Sequence, residues 1–153
     1  MRKTLVCGLI LLMFGWITGC DSDSNDDGPS DAERFVNTWT LSQVMDDRGD
    51  QTAVFLEGFN GITVAFTPNG TYTMVVDAKD DTQDVTLTGP YVANESAKTV
   101  SLTIEFGGQT LQFPLSYSFQ NDTTLLLSGN SVLLNPLLQT GLQGNVTLTF
   151  SAS

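Results

Sequence analysis

The residues that could do chemistry are one thiol, two groups of carboxylates and three tyrosine hydroxyls. The chain of 153 residues contains no His, which excludes Ser-His-Asp hydrolysis and imidazole metal sites. Both of its 2 Cys, Cys7 and Cys20, lie at or before position 20. The rest of the chain therefore has no disulfide, no catalytic thiolate and no Cys-based zinc site. The carboxylates Asp46, Asp47 and Asp50 form one group, and Asp77, Asp80, Asp81 and Asp84 form another. Converging oxygen ligands could hold Ca²⁺, and a carboxylate pair could do general acid/base work. Asp also favours turns on its own account, and nothing fixes a separation between the groups. We read both as solvated turns and expect no enzyme, no metal and no cofactor. Asp21, Asp23 and Asn25 have the 1-3-5 spacing of a calcium loop, but Asp26 stands where Gly is needed and Ala32 where a bidentate Glu belongs.

Charge narrows the partners. Six Lys+Arg against 17 Asp+Glu give a formal net charge of -11. Such a surface repels phosphate backbones, so no nucleic-acid partner is expected.

Cys20 stands at the end of a register of features. Arg2 and Lys3 give a positive start, and Leu5 to Ile17 is an almost unbroken apolar run. A helix crossing about 30 Å of hydrocarbon needs about 20 apolar residues. The run is shorter than that and has the size of a signal-peptide core. Thr18 and Gly19 are small, as a peptidase requires before its cut. Ile17-Thr18-Gly19-Cys20 resembles the lipobox of bacterial lipoproteins. The resemblance implies cleavage before Cys20, a diacylglyceryl thioether on its sulfur, and a further acyl group such as palmitate on the new amine. Each buried CH₂ adds about 0.8 kcal/mol, and stable anchoring needs more than one chain. The expected organisation is a signal peptide over 1–19, a lipidated Cys and acidic flexible tether over 20–33, and a folded domain over 34–153.

The tether reading rests on Asp21 to Ser30, which is acidic, small and without apolar residues, and cannot bury enough surface to offset its ordering entropy. Fully extended at ~3.5 Å per residue, Asp21 to Asp31 reaches roughly 35–40 Å. Acidic runs in this place resemble the surface-export signal of some Gram-negative lipoproteins, while Asp directly after the Cys resembles an inner-membrane retention signal in others. The expected location is the envelope of a Gram-negative bacterium, in the outer membrane, facing the periplasm or the outside.

From Phe35 onward the hydrophobic pattern has period two. Phe35, Trp39, Leu41 and Met45 share one face of a first strand. Ile62, Val64 and Phe66 alternate with polar neighbours, as do Tyr72, Met74 and Val76. Between them Pro68-Asn69-Gly70 fits a three-residue hairpin loop with Gly in the left-handed position. That hairpin pairs Phe66 with Tyr72, Val64 with Met74 and Ile62 with Val76. Further strands run through Val85–Val92, Thr99–Phe106, Leu111–Phe119, Leu125–Leu127 and Val146–Phe150. Gly107-Gly108 is a two-residue turn signal. It sets Ile104 against Leu111, Leu102 against Phe113 and Val100 against Leu115; a one-residue slip would separate the apolar faces.

This makes an all-β domain of eight strands joined mostly by short turns. The simplest topology is an eight-stranded up-and-down antiparallel β-barrel, whose closure removes aggregation-prone edges; a monomer is expected. A β-sandwich is the alternative, but only the connections 46–60 and 130–144 are long enough for Greek-key crossings. In an up-and-down barrel the loops 45–60, 77–84, 107–108 and 130–144 share the end opposite the tether.

Asn37-Thr38-Trp39 looks like the Gly-x-Trp motif of lipocalins, with Asn for Gly. Phe66-Thr67-Pro68-Asn69-Gly70-Thr71-Tyr72 is similar to the Phe-x-x-x-Gly-x-Tyr hairpin of bacterial lipocalin-like domains, which are often carried on lipoproteins. The resemblance implies a lipocalin-like barrel that binds a small hydrophobic molecule.

For such a ligand the candidate lining is Phe66, Tyr72, Met74, Leu102 and Phe113 inside, with Leu134, Leu137 and Leu138 on the 130–144 connection. That connection is unusually apolar. Asn135 suits an N-cap, Pro136 the first helical position and Gly141 the stop, so a short helix is expected there, as a lid over a pocket or as a plug completing the core. The Tyr72, Tyr91 and Tyr117 hydroxyls could orient a ligand, or could simply satisfy themselves against backbone. Two functions follow: sequestration of an apolar molecule, or a structural or protein-interaction module with a filled barrel.

Overall fold

The computed structural model of the chain describes residues 28–79, 84–106, 108–138 and 140–153. The expected signal segment, Cys20, the calcium-like Asp21, Asp23 and Asn25, most of the tether, and Asp80 and Asp81 lie outside the described residues.

The elements run α1 (Asp31–Phe35), β1 (Thr38–Asp46), β2 (Gly49–Asp50), α2 (Thr52–Phe55), β3 (Phe59–Phe66), β4 (Thr71–Ala78), β5 (Val85–Asn94), β6 (Thr99–Phe106), β7 (Gln109–Asn121), β8 (Thr124–Asn130), α3 (Ser131–Leu138) and β9 (Asn145–Ala152). Each long strand pairs antiparallel with the next, and β9 returns to pair with β1, with Leu41 opposite Phe150 and Val44 opposite Leu148. This is a closed eight-stranded up-and-down barrel of the lipocalin-like kind, with the two-residue β2 laid along the edge of β1. Both expected hairpin registers are present, Phe66 opposite Tyr72 and Leu102 opposite Phe113. Gly70 takes φ +77°, the left-handed conformation that its place in the turn demands.

Alternation drives closure. Ile62, Val64 and Phe66 on β3, Tyr72, Met74 and Val76 on β4, and Val146, Leu148 and Phe150 on β9 are all buried in one contiguous core, while their Thr neighbours lie on the outside. The first strand departs from simple alternation. A bulge between Leu41 and Gln43 leaves both Ser42 and Gln43 exposed. Parity flips beyond it, so Val44 and Asp46 turn inward and Met45, expected on the inner face, lies half-buried instead. An extra residue in a strand reverses every later side chain, and no spacing in the sequence announced it.

The N-terminal end of the barrel is closed by α1, which takes up the last three residues of the expected tether. Ser30 and Glu33 form a reciprocal capping box. Phe35 then drops into the barrel and meets Tyr117, Phe66 and Phe119 edge-on, with ring centroids 4.8, 5.2 and 5.2 Å away. Trp39 is fully buried here, its Nε1–H donating to Phe35 O at 3.1 Å. Outside, Arg34 donates to Asp122 at 2.6 Å and lies over the Phe119 ring. Asp31 pairs with Lys98 and accepts from the Tyr117 hydroxyl at 2.7 Å. Burial opposes ionisation of Asp31, but the Lys98 and Tyr117 hydrogen bonds outweigh it and hold its carboxyl below the ordinary carboxylate range. These contacts tie α1 to the β5–β6 and β7–β8 turns.

Candidate functional site at the barrel mouth

The opposite end is built from polar clasps rather than rings. β1 ends on Asp46, whose side chain is sealed from solvent. Its Oδ2 accepts Arg48 Nη2 at 2.6 Å, Arg48 Nε at 3.0 Å and Gln143 N at 2.9 Å, and its Oδ1 accepts Arg48 N at 2.8 Å. The Arg48 hydrogen bonds lead in stabilising the charged form, and they hold the Asp46 carboxyl down at about 2 despite the cost of desolvation. Arg48 also donates to Gly141 O at 3.2 Å. Asp47 Oδ1 accepts Asn145 N at 3.2 Å, and its carboxylate fills the space where any side chain at Gly144, φ +63°, would have to go. The turn after β1 is thus sewn to the segment that leads into β9.

α2 and α3 complete the rim. Thr52 Oγ1 accepts Val44 N at 2.9 Å, and Gln51 N donates to Val44 O at 2.8 Å, which docks α2 on the free edge of β1. α2 turns Phe55 into the core and leaves Val54 outside, 64% exposed. Lys79 Nζ donates to Leu56 O at 2.6 Å, bringing the β4–β5 turn to the same rim. Described residues of the connections 45–60, 77–84 and 130–144 thus meet at one end, as an up-and-down path requires.

α3 begins five residues before its expected start. Asn130, not Asn135, caps it, accepting Val132 N at 2.8 Å. Asn135 sits within the helix and grips the returning chain: its Nδ2 donates to Leu142 O at 2.9 Å, and its Oδ1 accepts Leu142 N at 2.9 Å and Thr140 Oγ1 at 3.0 Å. Pro136 accordingly falls inside the helix rather than at its first position. Leu134, Leu138 and Leu142 are buried in the main core, while Val132 is 76% exposed.

Between α2 and the 140–142 segment lies a cleft of about 410 Å³. Val54, Phe55, Phe59 and Leu142 form its apolar side, and Arg48, Gln51 and Thr140 its polar side. None of these was expected as lining, although Leu142 belongs to the apolar 130–144 connection expected as lid or plug. The residues that were singled out lie deeper. Phe66, Tyr72, Met74, Leu102 and Phe113 all face inward and are buried, with Leu134 and Leu138 above them. Phe66 belongs to the aromatic closure around Phe35, at the end of the barrel opposite the mouth. Leu137 lies within α3, and its side chain is outside the described set. The tyrosine hydroxyls bind within the protein: Tyr72 to Thr103 O and Tyr91 to Thr67 O, each at 3.2 Å, and Tyr117 to Asp31. Burial pushes Tyr72 up to about 12 and raises Tyr91; burial and the Asp31 carboxylate together raise Tyr117 further.

The acidic turns are spoken for as well. Asp50 caps Thr52 N at 2.8 Å, Asp77 accepts Asn60 Nδ2 at 2.9 Å and Asp84 accepts Ala78 N at 3.2 Å. Among the described residues no three carboxylates converge as a cation site, and no helix is long and apolar enough to cross a membrane.

No protein-family model matches the chain, and no curated protein matches it in sequence. The class is therefore defined by its own architecture: a lipocalin-like up-and-down barrel, plugged by α1 at one end and rimmed by α2 and α3 around a cleft at the other.

Proposed function

We propose that this is a lipid-anchored lipoprotein of the bacterial cell envelope whose barrel holds a small hydrophobic molecule at its mouth. The single observation behind the binding role is the cleft between α2 and the 140–142 segment. It is concave, partly apolar and placed where the barrel interior meets solvent, as small-molecule sites usually are. Its apolar walls Phe55, Phe59 and Leu142 would take a hydrocarbon group, and Arg48, Gln51 and Thr140 a polar end. The anchor would be Cys20, on the strength of its lipobox register, with the membrane as partner and no nucleic acid.

Titration with a fluorescent fatty-acid analogue tests the binding role. Micromolar binding to the wild-type chain, weakened at least about tenfold in Phe59→Asp, is expected, with a rise in melting temperature by mass action. Failure of a broad apolar panel to bind would sink it. Cys20→Ser tests the anchor: the variant should lose detergent-phase partitioning, and a processed Ser variant that still partitions with membranes would remove Cys20 from that role.

A second reading is favoured by the core. Leu134, Leu138 and Leu142 pack into the same cluster as the barrel strands, as a plug does. On that reading the barrel is a filled, non-enzymatic interaction module. The two differ in the cost of Leu134→Ser: a modest loss for a lid, several kcal/mol for a plug.

A further inference from the structure

The barrel wall is hydrogen-bonded all round only in the half closed by α1. Towards the mouth two seams part. At the first, β1 and β3 pair only through Thr38–Thr40 and Thr63–Ala65. Beyond that point the free edge of β1 is covered by the chain itself, through Gln51 and Thr52 on Val44. The second seam has no such cover among the described residues. β5 and β6 pair from Tyr91 opposite Leu102 to Asn94 opposite Thr99, and no further. Val85–Gly89 then pair only with β4, and Thr103–Phe106 only with β7.

Pro90 explains why the ladder stops. It follows Tyr91 in register opposite Thr103 and has no N–H to give. The Thr103 carbonyl accepts the Tyr72 hydroxyl from inside the barrel instead, and it lies so close to Gly89 that no Cβ would fit there. Tyr91 N donates to Gly70 O, on the β4 side. Main-chain groups alternate sides along an extended strand, so Thr86 and Thr88 aim their N–H and C=O at the seam. The same alternation turns the main chain of Glu105, on β6, towards it from the other side.

Side chains mark the same place as an opening. Val85 and Leu111 point inward by register, opposite Val76 and Ile104. Yet Val85 is 48% and Leu111 41% exposed, where Tyr72, Met74 and Val76 on the adjoining strand are buried. The seam thus offers apolar surface together with main-chain donors and acceptors that lie outside the β5/β6 ladder. A hydrocarbon chain would cover the first and strand the second without partners. An extended peptide satisfies both, because its backbone continues the ladder while alternate side chains meet the apolar face. Asp84 and Glu105 flank the two edges, both exposed, on a chain with 17 acidic and 6 basic residues. Charge therefore selects basic ends on that peptide.

We propose that the β5/β6 seam is a docking slot for an extended peptide of a partner protein, apolar at its centre and basic at its ends, which adds as a strand along Val85–Thr88, short of the contact between Gly89 and the Thr103 carbonyl. This is independent of ligand binding at the mouth cleft. The test uses the full-length chain in detergent and the synthetic peptide acetyl-Lys-Val-Thr-Val-Thr-Val-Lys-amide, read by residue-resolved amide exchange. In the free protein the Thr86 and Thr88 amides should exchange far faster than those of Tyr72 and Met74. The peptide should slow them by about tenfold or more, and an analogue N-methylated on alternate amides should not. Thr88→Pro removes a seam-facing N–H without touching the β4 ladder, a position an edge strand tolerates, and should weaken peptide binding by at least about tenfold. Slow exchange of Thr86 and Thr88 in the free protein, equal binding of the N-methylated analogue, or protection that grows with protein concentration in the absence of peptide would each overturn the proposal; the last would assign the edge to a second copy of the chain.

Discussion

The two ends of this barrel are closed by different physics. At the end closed by α1, Phe35 stands among Phe66, Tyr91, Tyr117 and Phe119, and Trp39 is sealed behind it. The strands are paired all round there. At the mouth, ladders end early and the rim is held by carboxylates: Asp46 to Arg48 and Gln143, Asp47 to Asn145. Apolar closure is non-directional and tolerates no water. Polar closure is directional, depends on charge, and leaves room for a cleft. The aromatic end is thus sealed by packing, while the polar end keeps a cleft beside its clasps.

The most disruptive change strikes the core common to both ends. Leu102→Asp would bury an unpaired carboxylate at several kcal/mol, a large share of a typical 5–15 kcal/mol stability. It should abolish cooperative unfolding in circular dichroism, whereas the outward Thr149→Asp should stay within about 0.5 kcal/mol. Equal losses would mean that the inner and outer faces are misassigned. Next comes the aromatic plug. Phe35→Ala should cost about 3–5 kcal/mol in urea denaturation, since several rings lose their partner at once. A cost under about 1 kcal/mol would show that α1 is an ornament on a barrel closed without it.

Both ends should respond to pH, the aromatic end through Asp31, whose carboxyl is likewise held below the ordinary range, and the polar end through Asp46. The Asp46 carboxyl lies at about 2, below its unfolded value near 4. A depressed pKa contributes stability that is complete above the unfolded value and is lost as pH falls through the folded one. Stability should therefore drop between about pH 4 and pH 2, and Asp46→Asn should flatten the Asp46 contribution to that drop. Amide exchange at Gln143 should rise in the same window, because its N–H loses a charged acceptor. An unchanged pH profile in the Asn variant would remove Asp46 from the clasp. The smallest effect expected is for Val54→Ser. Val54 is 64% exposed, so stability should move by less than about 0.5 kcal/mol while apolar-probe affinity at the cleft falls.

What was legible in the sequence follows the same division. Period-two alternation specified β3, β4, β6, β7 and β9, and turn chemistry at Asn69-Gly70 and Gly108 specified their registers, because each such signal is local. Closure followed from eight short-linked amphipathic strands. The bulge at Ser42–Gln43 was not legible. It has no composition of its own, and it alone turned Asp46 inward and made the clasp. α1 was announced by Ser30-x-x-Glu33, a capping-box pattern hidden in an acidic stretch that reads as tether. α3 was placed late because Asn135-Pro136 imitates a helix start, while Asn130 has the same chemistry five residues earlier. Phe66, Tyr72, Met74, Leu102 and Phe113 were chosen for facing inward, and they do. The mouth cleft depends instead on tertiary meetings between residues 48–59 and 140–142, which no local pattern encodes. The premise that closure removes every edge also needed amendment, since Pro90 ends the β5/β6 ladder.

On the proposed function, the mouth and not the barrel's depth holds a small apolar molecule. Chemical-shift mapping of the backbone amides with a short-chain fatty acid tests it most directly. Perturbation is expected at Phe55, Phe59 and Leu142, with Phe35, Phe66 and Phe119 unmoved. Perturbation centred on Phe66 and Phe119, or none at saturating fatty acid, would contradict it.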